Sequence, residues 1–536
     1  MNKKNKVVLF MLIFTITCFC GCSTAIDFFS GDDEQVTYED SNTVFIPIEK
    51  IRTLNPAISL DEDTYYISKL VYEGLFVLDE NLMPQPQLVS SYTFDADKLS
   101  HVINLKKGIR WHDGEDFTAA DVKFTIDSLI SLSYSGETLY GDYVSNIASV
   151  KLDNSDEMKC TIYYKNSSDT ALENLIFPIL PFSKYKNVAA LKKDSKNFKM
   201  VGTGPYQYSD YNSLSYLVLK GYQGYYGPIP NNILNFQILP SKTDAINLMD
   251  VNNITMLFSR EIDRNTTITN KNIDPLSYVS NEAEFIGFNF QNEALAKKKV
   301  RQAISSAIDA QAILDAAYYK NGIPCDTLYY PGYFGIKNEG DAYEYSIERA
   351  LELLTEAGYL DIDADTFVED PQGNEISIGI LVNENDQSRV AAAKLIKGML
   401  DKLPIETHIE YCSWDEYNMR LNAGNYDLYI GGYQFDERYD LRRMLHSNYG
   451  NLVRYTNTKL DEFLDEMQLS PMNDEKTQIF QQVKNILIDE IPYYCLFYKT
   501  HGVLTADAFR GDLSPMFNNI YVDSQSWSCS YIVETN

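Results

Sequence analysis

The apolar positions of this chain change pattern several times along its length. Lys3, Lys4 and Lys6 precede an almost wholly apolar run from Val7 to Phe19, the layout of a secretory signal over residues 1–21. That run is shorter than the ~20 apolar residues a membrane-spanning helix needs. Residues 22–40 are mostly polar, acidic and turn-prone, which predicts a flexible tether. Ordered structure is expected to begin near Thr43, with the strand-like Val44-Phe45-Ile46-Pro47-Ile48.

Residues 88–130 give the clearest local reading. His101 to Leu105 predicts a strand, Lys107-Gly108 a turn and Ile109 to His112 a returning strand, followed by a second turn at Asp113-Gly114. Thr118 caps a helix, Asp121 completes a capping box, and Val122, Ile126, Leu129 and Ile130 form the buried stripe. Trp111 and His112 therefore read as structural. Farther on, Ile376, Ile378, Ile380 and Val382 repeat with period two, and a helix through Ile396, Met399 and Leu400 is stopped by Pro404. Ile405, Thr407, Ile409 and Tyr411 alternate again, Ser413 and Glu416 suggest a capping box, and a helix ends at Gly424 before a third strand over Tyr426 to Ile430. Strands separated by such helices predict an α/β fold with a mainly parallel sheet, whose ligands bind beyond the carboxyl ends of the strands. That points to the segment after Ile430: Gly431-Gly432-Tyr433-Gln434-Phe435-Asp436.

Composition narrows the classes. At 536 residues the chain exceeds one core, and about three domains is the length expectation. A net charge of −29 argues against nucleic acid and reads first as solubility. Cys160, Cys325, Cys412, Cys495 and Cys529 are scattered, odd in number and without C-x-x-C, so buried free thiols are expected. The five histidines are far apart with no H-E-x-x-H, and neither residue type supports a metal site or a cofactor. No G-x-S-x-G and no nucleophile with a placed base supports an enzyme. The chain is read as a non-enzyme; sequential acids such as Asp436-Glu437 could mimic a glycosidase dyad only superficially.

Several motifs occur in an order that resembles a known family. Gly21 before Cys22 is similar to a lipoprotein processing site, in which Cys22 would become the mature N-terminus and carry the lipid; a non-lipid signal cleaved nearby is the alternative. Leu54-Asn55-Pro56, Val71-Tyr-Glu-Gly-Leu75 and Leu105-Lys-Lys-Gly-Ile-Arg-Trp-His-Asp-Gly-Glu-Asp-Phe-Thr-Ala-Ala-Asp-Val122 follow. Then come Gly202-Thr-Gly-Pro-Tyr206, Gly287-Phe-Asn289 with Val300-Arg-Gln-Ala-Ile304, and Ala350-Leu-Glu-Leu-Leu-Thr-Glu-Ala-Gly-Tyr359. From about Leu54 to the C-terminus the chain resembles the solute-binding lipoproteins of peptide-type ABC importers, which include oligopeptide-, dipeptide- and nickel-binding proteins.

The resemblance implies a two-lobed periplasmic-binding-protein-like fold with an extra domain inserted in the first lobe. The first lobe would comprise 41–75, 200–281 and 500–536, the inserted domain 76–199 and the second lobe 282–499, with strand crossings near 280 and 500 as the hinge. The implied function is capture of a small solute, most simply a short peptide, by a lipid-anchored monomer facing the extracellular or periplasmic side, and delivery to the permease subunits of an ABC importer. A metal chelate or sugar as ligand, or a sensory accessory role, are the alternatives. In peptide-binding members an aspartate pairs with the ligand's α-ammonium, and the matching position is Asp436. Tyr433 stands where Trp is usual, and Glu437, Arg438 and Asp440 add charges, so an exposed loop acid beside Arg438 is the competing reading of Asp436. The implied ligand-facing set is Asp436, Tyr433, Gly432, Phe435, Trp414, Asn289 and Asp61.

Overall fold

A computed structural model of the protein describes residues 37–193, 198–242, 245–249, 253–260, 273–340, 342–469 and 473–533. The signal, Cys22 and most of the tether lie outside the described residues. The widest sheet follows the path Met256–Ser259, Tyr493–Ala506, Ile273–Phe288, Leu428–Gln434, Ser377–Asn383, Glu406–Cys412, with Gly322–Ile323 added beside Tyr493–Ala506. Its two longest members, Ile273–Phe288 with 16 residues and Tyr493–Ala506 with 14, pair antiparallel, with register shifts between Val279 and Ala283 and between Glu284 and Phe285. At ~3.4 Å per residue each strand is long enough to cross from one body to another. Their neighbours differ at the two ends. Tyr493–Ala506 meets Met256–Ser259 through Gly502 to Thr505, whereas Ile273–Phe288 meets Leu428–Gln434 through Glu282 to Phe288.

Ser377–Asn383 runs parallel to both Glu406–Cys412 and Leu428–Gln434 and is buried at all but its first position, because the helix Gln387–Leu400 packs against it and the strand has both edges filled. The expected mainly parallel sheet is corrected to a mixed one. The two long strands run antiparallel, and their partners are too distant in sequence for local periodicity to reveal them. The third strand also runs farther than expected, to Gln434, because Gly431 to Gln434 continue the ladder opposite Glu282 to Phe285.

A second sheet joins Thr43–Ile48, parallel to Ile233–Ile238, with Tyr216–Gly221 and Tyr206–Asn212. The helix Glu62–Val71 packs near Tyr206–Asn212 and buries Ile67, Leu70 and Val71. The segment Thr37–Ser41, read in sequence as the end of the tether, forms a strand against Ser528–Val533; its partner lies at the other end of the chain, where no local signal could show it.

The third sheet, Val89–Asp95, Ser100–Leu105, Lys159–Tyr164 and Ile147–Leu152, carries the helix Ala119–Ser133 with both halves of the Thr118–Asp121 capping box formed. Ile109 to His112 does not return along Ser100–Leu105, since both edges of that strand are already taken by Val89–Asp95 and Lys159–Tyr164; only an isolated bridge, Arg110 to Asp116, remains. His112 does a different job. Its Nε2 donates to the Gly204 carbonyl at 2.9 Å and its Nδ1 accepts the Gly202 N–H at 3.2 Å. The Gly204 N–H in turn donates to the Val71 carbonyl at 2.9 Å, and a Cβ at Gly204 would stand 2.8 Å from the Leu70 carbonyl oxygen. Three motifs far apart in sequence thus lock one junction, and His112 is structural. All five remaining cysteines are free and buried.

Burial drives the imidazoles of His101 and His112 down to about 4 from their ordinary 6.5, and the neutral ring is the one whose Nδ1 can accept from Gly202. The unfolded chain therefore binds more protons between these values. The stability these two groups contribute is complete above pH 6.5 and lost as pH falls toward 4. Urea unfolding across that range should show a shallower loss of stability in His101→Asn and His112→Asn than in the parent chain; equal slopes would contradict the assignment.

Candidate ligand site

The carboxyl ends of the three neighbouring strands Ser377–Asn383, Glu406–Cys412 and Leu428–Gln434 share one edge of the sheet. Three large aromatic side chains stay exposed there: Tyr411 at 47%, Trp414 at 51% and Tyr433 at 49%. Trp414 opens the helix Trp414–Ala423, where Ser413 accepts the Glu416 N–H, and its ring stacks on Tyr417 at 5.7 Å. Tyr433 leans on Phe435 at 4.9 Å. Phe435 itself is buried and stacked on Tyr439 at 5.2 Å, so it supports the edge from behind. Gly432 is required by what passes over it. Arg389 and Glu284 form two hydrogen bonds of 2.9 Å there, and a Cβ on Gly432 would collide with both.

The chain then turns through residues 435–441, pinned where the Phe435 N–H donates to the Asn281 carbonyl at 2.9 Å. Adjacent acids face different partners. Asp436 is exposed, and its carboxylate accepts the Arg438 N–H at 2.9 Å and the Arg438 guanidinium at 2.6 Å. Arg438 also lies over the Tyr143 ring at 4.5 Å, which ties this pair to the third sheet's body. Glu437 is buried and points the other way, toward the helix Glu62–Val71, where it accepts from Lys69 Nζ at 3.0 Å and from the Tyr65 hydroxyl. Burial pushes the Glu437 carboxyl up to about 8 and the Lys69 ammonium down to about 7. Burial disfavours the charged form of each, and only their contact with one another works against it.

A second contact repeats the theme nearby. Arg260 reaches Glu62 of the same helix and Glu282 of the long strand, each at 3.2 Å. The Glu282 carboxyl is held down to about 2, first by its hydrogen bond with His501 and then, against the cost of burial, by the charges of Lys499 and Arg260. Aromatic rings fill the space between: Tyr330 against Phe517 at 5.0 Å, and the Tyr66 hydroxyl donating to the Phe517 carbonyl at 2.9 Å.

The structure brings Tyr433, Phe435, Asp436 and Gly432 together with Glu437 on one edge, and Trp414 stands at the end of a neighbouring strand. Asn289 is elsewhere and fully engaged. Its amide donates to the Gly424 and Tyr426 carbonyls at 3.0 and 2.6 Å, and its Oδ1 accepts the Gln291 N–H at 3.0 Å. Asp61 sits at the start of the helix Glu62–Val71 and accepts the Arg52 N–H at 3.1 Å. Sequence reasoning missed Tyr65, Lys69 and Arg260. The i, i+4 spacing of Tyr65 and Lys69 places them on one helix face and could have flagged the pair; Arg260 gave no signal.

Residues 83–451 match the model of the bacterial extracellular solute-binding proteins, family 5 middle region. The oligopeptide-binding protein AppA of Bacillus subtilis is 24% identical over 475 residues, 85% of this chain and 86% of its own. The heme-binding protein A of Haemophilus influenzae is 22% identical, over 88% of this chain and 90% of its own. In structure, an ABC transporter substrate-binding protein from Sinorhizobium meliloti superposes with a TM-score of 0.74 at 19% identity, covering 92% of this chain and all of the other. The likeness shows a two-lobed periplasmic-binding-protein fold. Among the described residues no helix is long and apolar enough to cross a membrane. The match over most of its length makes this chain a member of the bacterial extracellular solute-binding proteins of family 5.

Proposed function

We propose that the protein captures a short peptide outside the cell by closing two lobes about the strands Ile273–Phe288 and Tyr493–Ala506, and hands it to the permease subunits of an ABC importer. The lobes are divided as 41–75, 200–281 and 500–536 against 282–499, with 76–199 inserted in the first. The protein works as a monomer, tethered through a lipid on Cys22, and carries out no reaction on its ligand. The observation that carries the peptide reading is Glu437. It is a buried acid whose carboxyl oxygen already accepts from a primary amine group, Lys69 Nζ, at 3.0 Å. A peptide α-ammonium has the same chemistry and could take that place. The exposed rings of Tyr411, Trp414 and Tyr433 offer apolar surface with polar tips for varied side chains, as a tolerant peptide site needs. The likeness to an oligopeptide-binding relative supports the same reading.

Asp436 can serve a ligand ammonium only if Arg438 releases it, and that favours the second reading: a non-peptide solute such as a metal chelate or sugar, bound without an ammonium anchor. A sensory partner in place of the importer fits the same closure.

Native mass spectrometry of residues 23–536 before and after mild unfolding tests the ligand class. A bound ladder spaced like amino acids is expected, and one non-peptide mass would refute the peptide reading. By calorimetric titration of such a peptide, Glu437→Gln should cost roughly 2–5 kcal/mol of affinity, the range for truncating a buried charge pair. Asp436→Ala should cost far less, and the reverse ranking would return the anchor to Asp436. Cys22→Ala should move the protein from the membrane fraction to the soluble one; retention without lipid labelling would contradict the anchor.

A further inference from the structure

Between the helix Ile347–Glu356 and the strand Ser377–Asn383, residues 361–369 read Asp361-Ile-Asp363-Ala-Asp365-Thr-Phe-Val-Glu369. One carboxylate oxygen from each of Asp361, Asp363, Asp365 and Glu369 lies within 4.8 Å of the others. Like charges so close repel unless a cation stands among them. The cations of the flanking helices are engaged by other acids: Arg349 by Glu352 and Glu356, Lys299 by Glu356, Lys397 by Asp401.

A separate observation concerns Glu369. It is only 4% exposed, and its Oε2 accepts the Ile362 N–H at 2.7 Å. Its Oε1 is shielded from solvent and has no hydrogen-bond partner. A buried carboxylate oxygen is normally satisfied, and here it belongs to a group with three more carboxylates, whose other oxygens take backbone N–H groups of the loop while Glu369 Oε1 takes none. A cation would satisfy it and relieve the repulsion at once.

We propose that residues 361–369 form a calcium site with Asp361, Asp363, Asp365 and Glu369 as ligands. The donors are all hard carboxylate oxygens, without His or Cys, which excludes zinc and copper preferences. Magnesium is bound through one or two carboxylates and keeps its water, so four converging carboxylates suit calcium better. The spacing is that of positions 1, 3, 5 and 9 of a calcium loop of the EF-hand type. Such loops place glycine at position 6 for a sharp turn, and here Thr366 stands at that position with φ +88°, the left-handed conformation glycine would take. Position 12 is Gln372, not the usual bidentate Glu, so the site is of the weaker kind found in extracellular modules. Glu369 bridges to Leu360 and Glu375, so the ion would fasten the loop to the approach of strand Ser377–Asn383.

The test is calorimetric titration of calcium chloride into the purified, chelator-treated full chain, with thermal unfolding measured alongside. One site with Kd on the order of 10⁻⁴–10⁻³ M and a melting temperature that rises with calcium are expected. Asp363→Asn, an exposed position that should not disturb folding, and Glu369→Gln should each weaken binding by at least about tenfold, since losing even an outer-sphere partner costs that much. No binding heat and no thermal shift at about 10 mM calcium, ten times the weakest expected Kd, would overturn the proposal. Binding unchanged in Asp363→Asn, or an equal shift with magnesium chloride, would do so too.

Discussion

The pairing of Ile273–Phe288 with Tyr493–Ala506 is the constraint on which the rest of the molecule depends. These strands share a ladder along their length but belong at their two ends to different neighbours, Met256–Ser259 on one side and Leu428–Gln434 on the other. The register shift between Val279 and Ala283 falls at the border between those two sets of neighbours, and a second, between Glu284 and Phe285, lies just inside the stretch beside Leu428–Gln434. A bulge leaves backbone unpaired and lets a strand bend there more easily than in a regular ladder. Two bodies joined by such a ribbon can change their angle without losing either sheet, which is the mechanical requirement for closing on a solute.

Charged contacts tie the helix Glu62–Val71 to the turn after Gln434 and to the strand Ile273–Phe288. Lys69 with Glu437, and Arg260 between Glu62 and Glu282, are attractive contacts made by residues far apart in the chain. The Lys69–Glu437 pair contributes little net stability, because desolvation of the acid offsets most of the attraction, yet it is specific in geometry. It suits a reversible closure: a ligand that supplies a matching charge can exchange with one member of the pair at small net cost. The Asp436–Arg438 pair, in contrast, ties the turn to Tyr143 and holds the loop that carries Glu437 in place.

Much of this was legible in the sequence where the cause is local. The Thr118–Asp121 box, the helix stopped before Pro404 and the strands around Ile378 and Ile409 depend on residues a few positions apart, and they formed. The misreadings share another cause. Ile109 to His112, the strand Thr37–Ser41 and the extension of the third strand to Gln434 are all decided by partners far along the chain. The edge carrying Tyr433 and Asp436 was found from the parallel-strand pattern, but which of two adjacent acids turns inward was not. The inward acid is the one that meets Lys69 and Tyr65, residues far along the chain and not visible from the run itself. The acidic run at 361–369 escaped because metal reasoning looked to histidine and cysteine.

The central claim is that Glu437 joins the two bodies and that they separate about the long strands. Small-angle X-ray scattering of ligand-free residues 23–536, parent against Glu437→Gln, tests it most directly. Removing the acid leaves the half-buried Lys69 side chain without its acid partner, a cost relieved by opening to water. The account predicts a larger radius of gyration and a broader distance distribution for the variant. Superimposable scattering curves would contradict it.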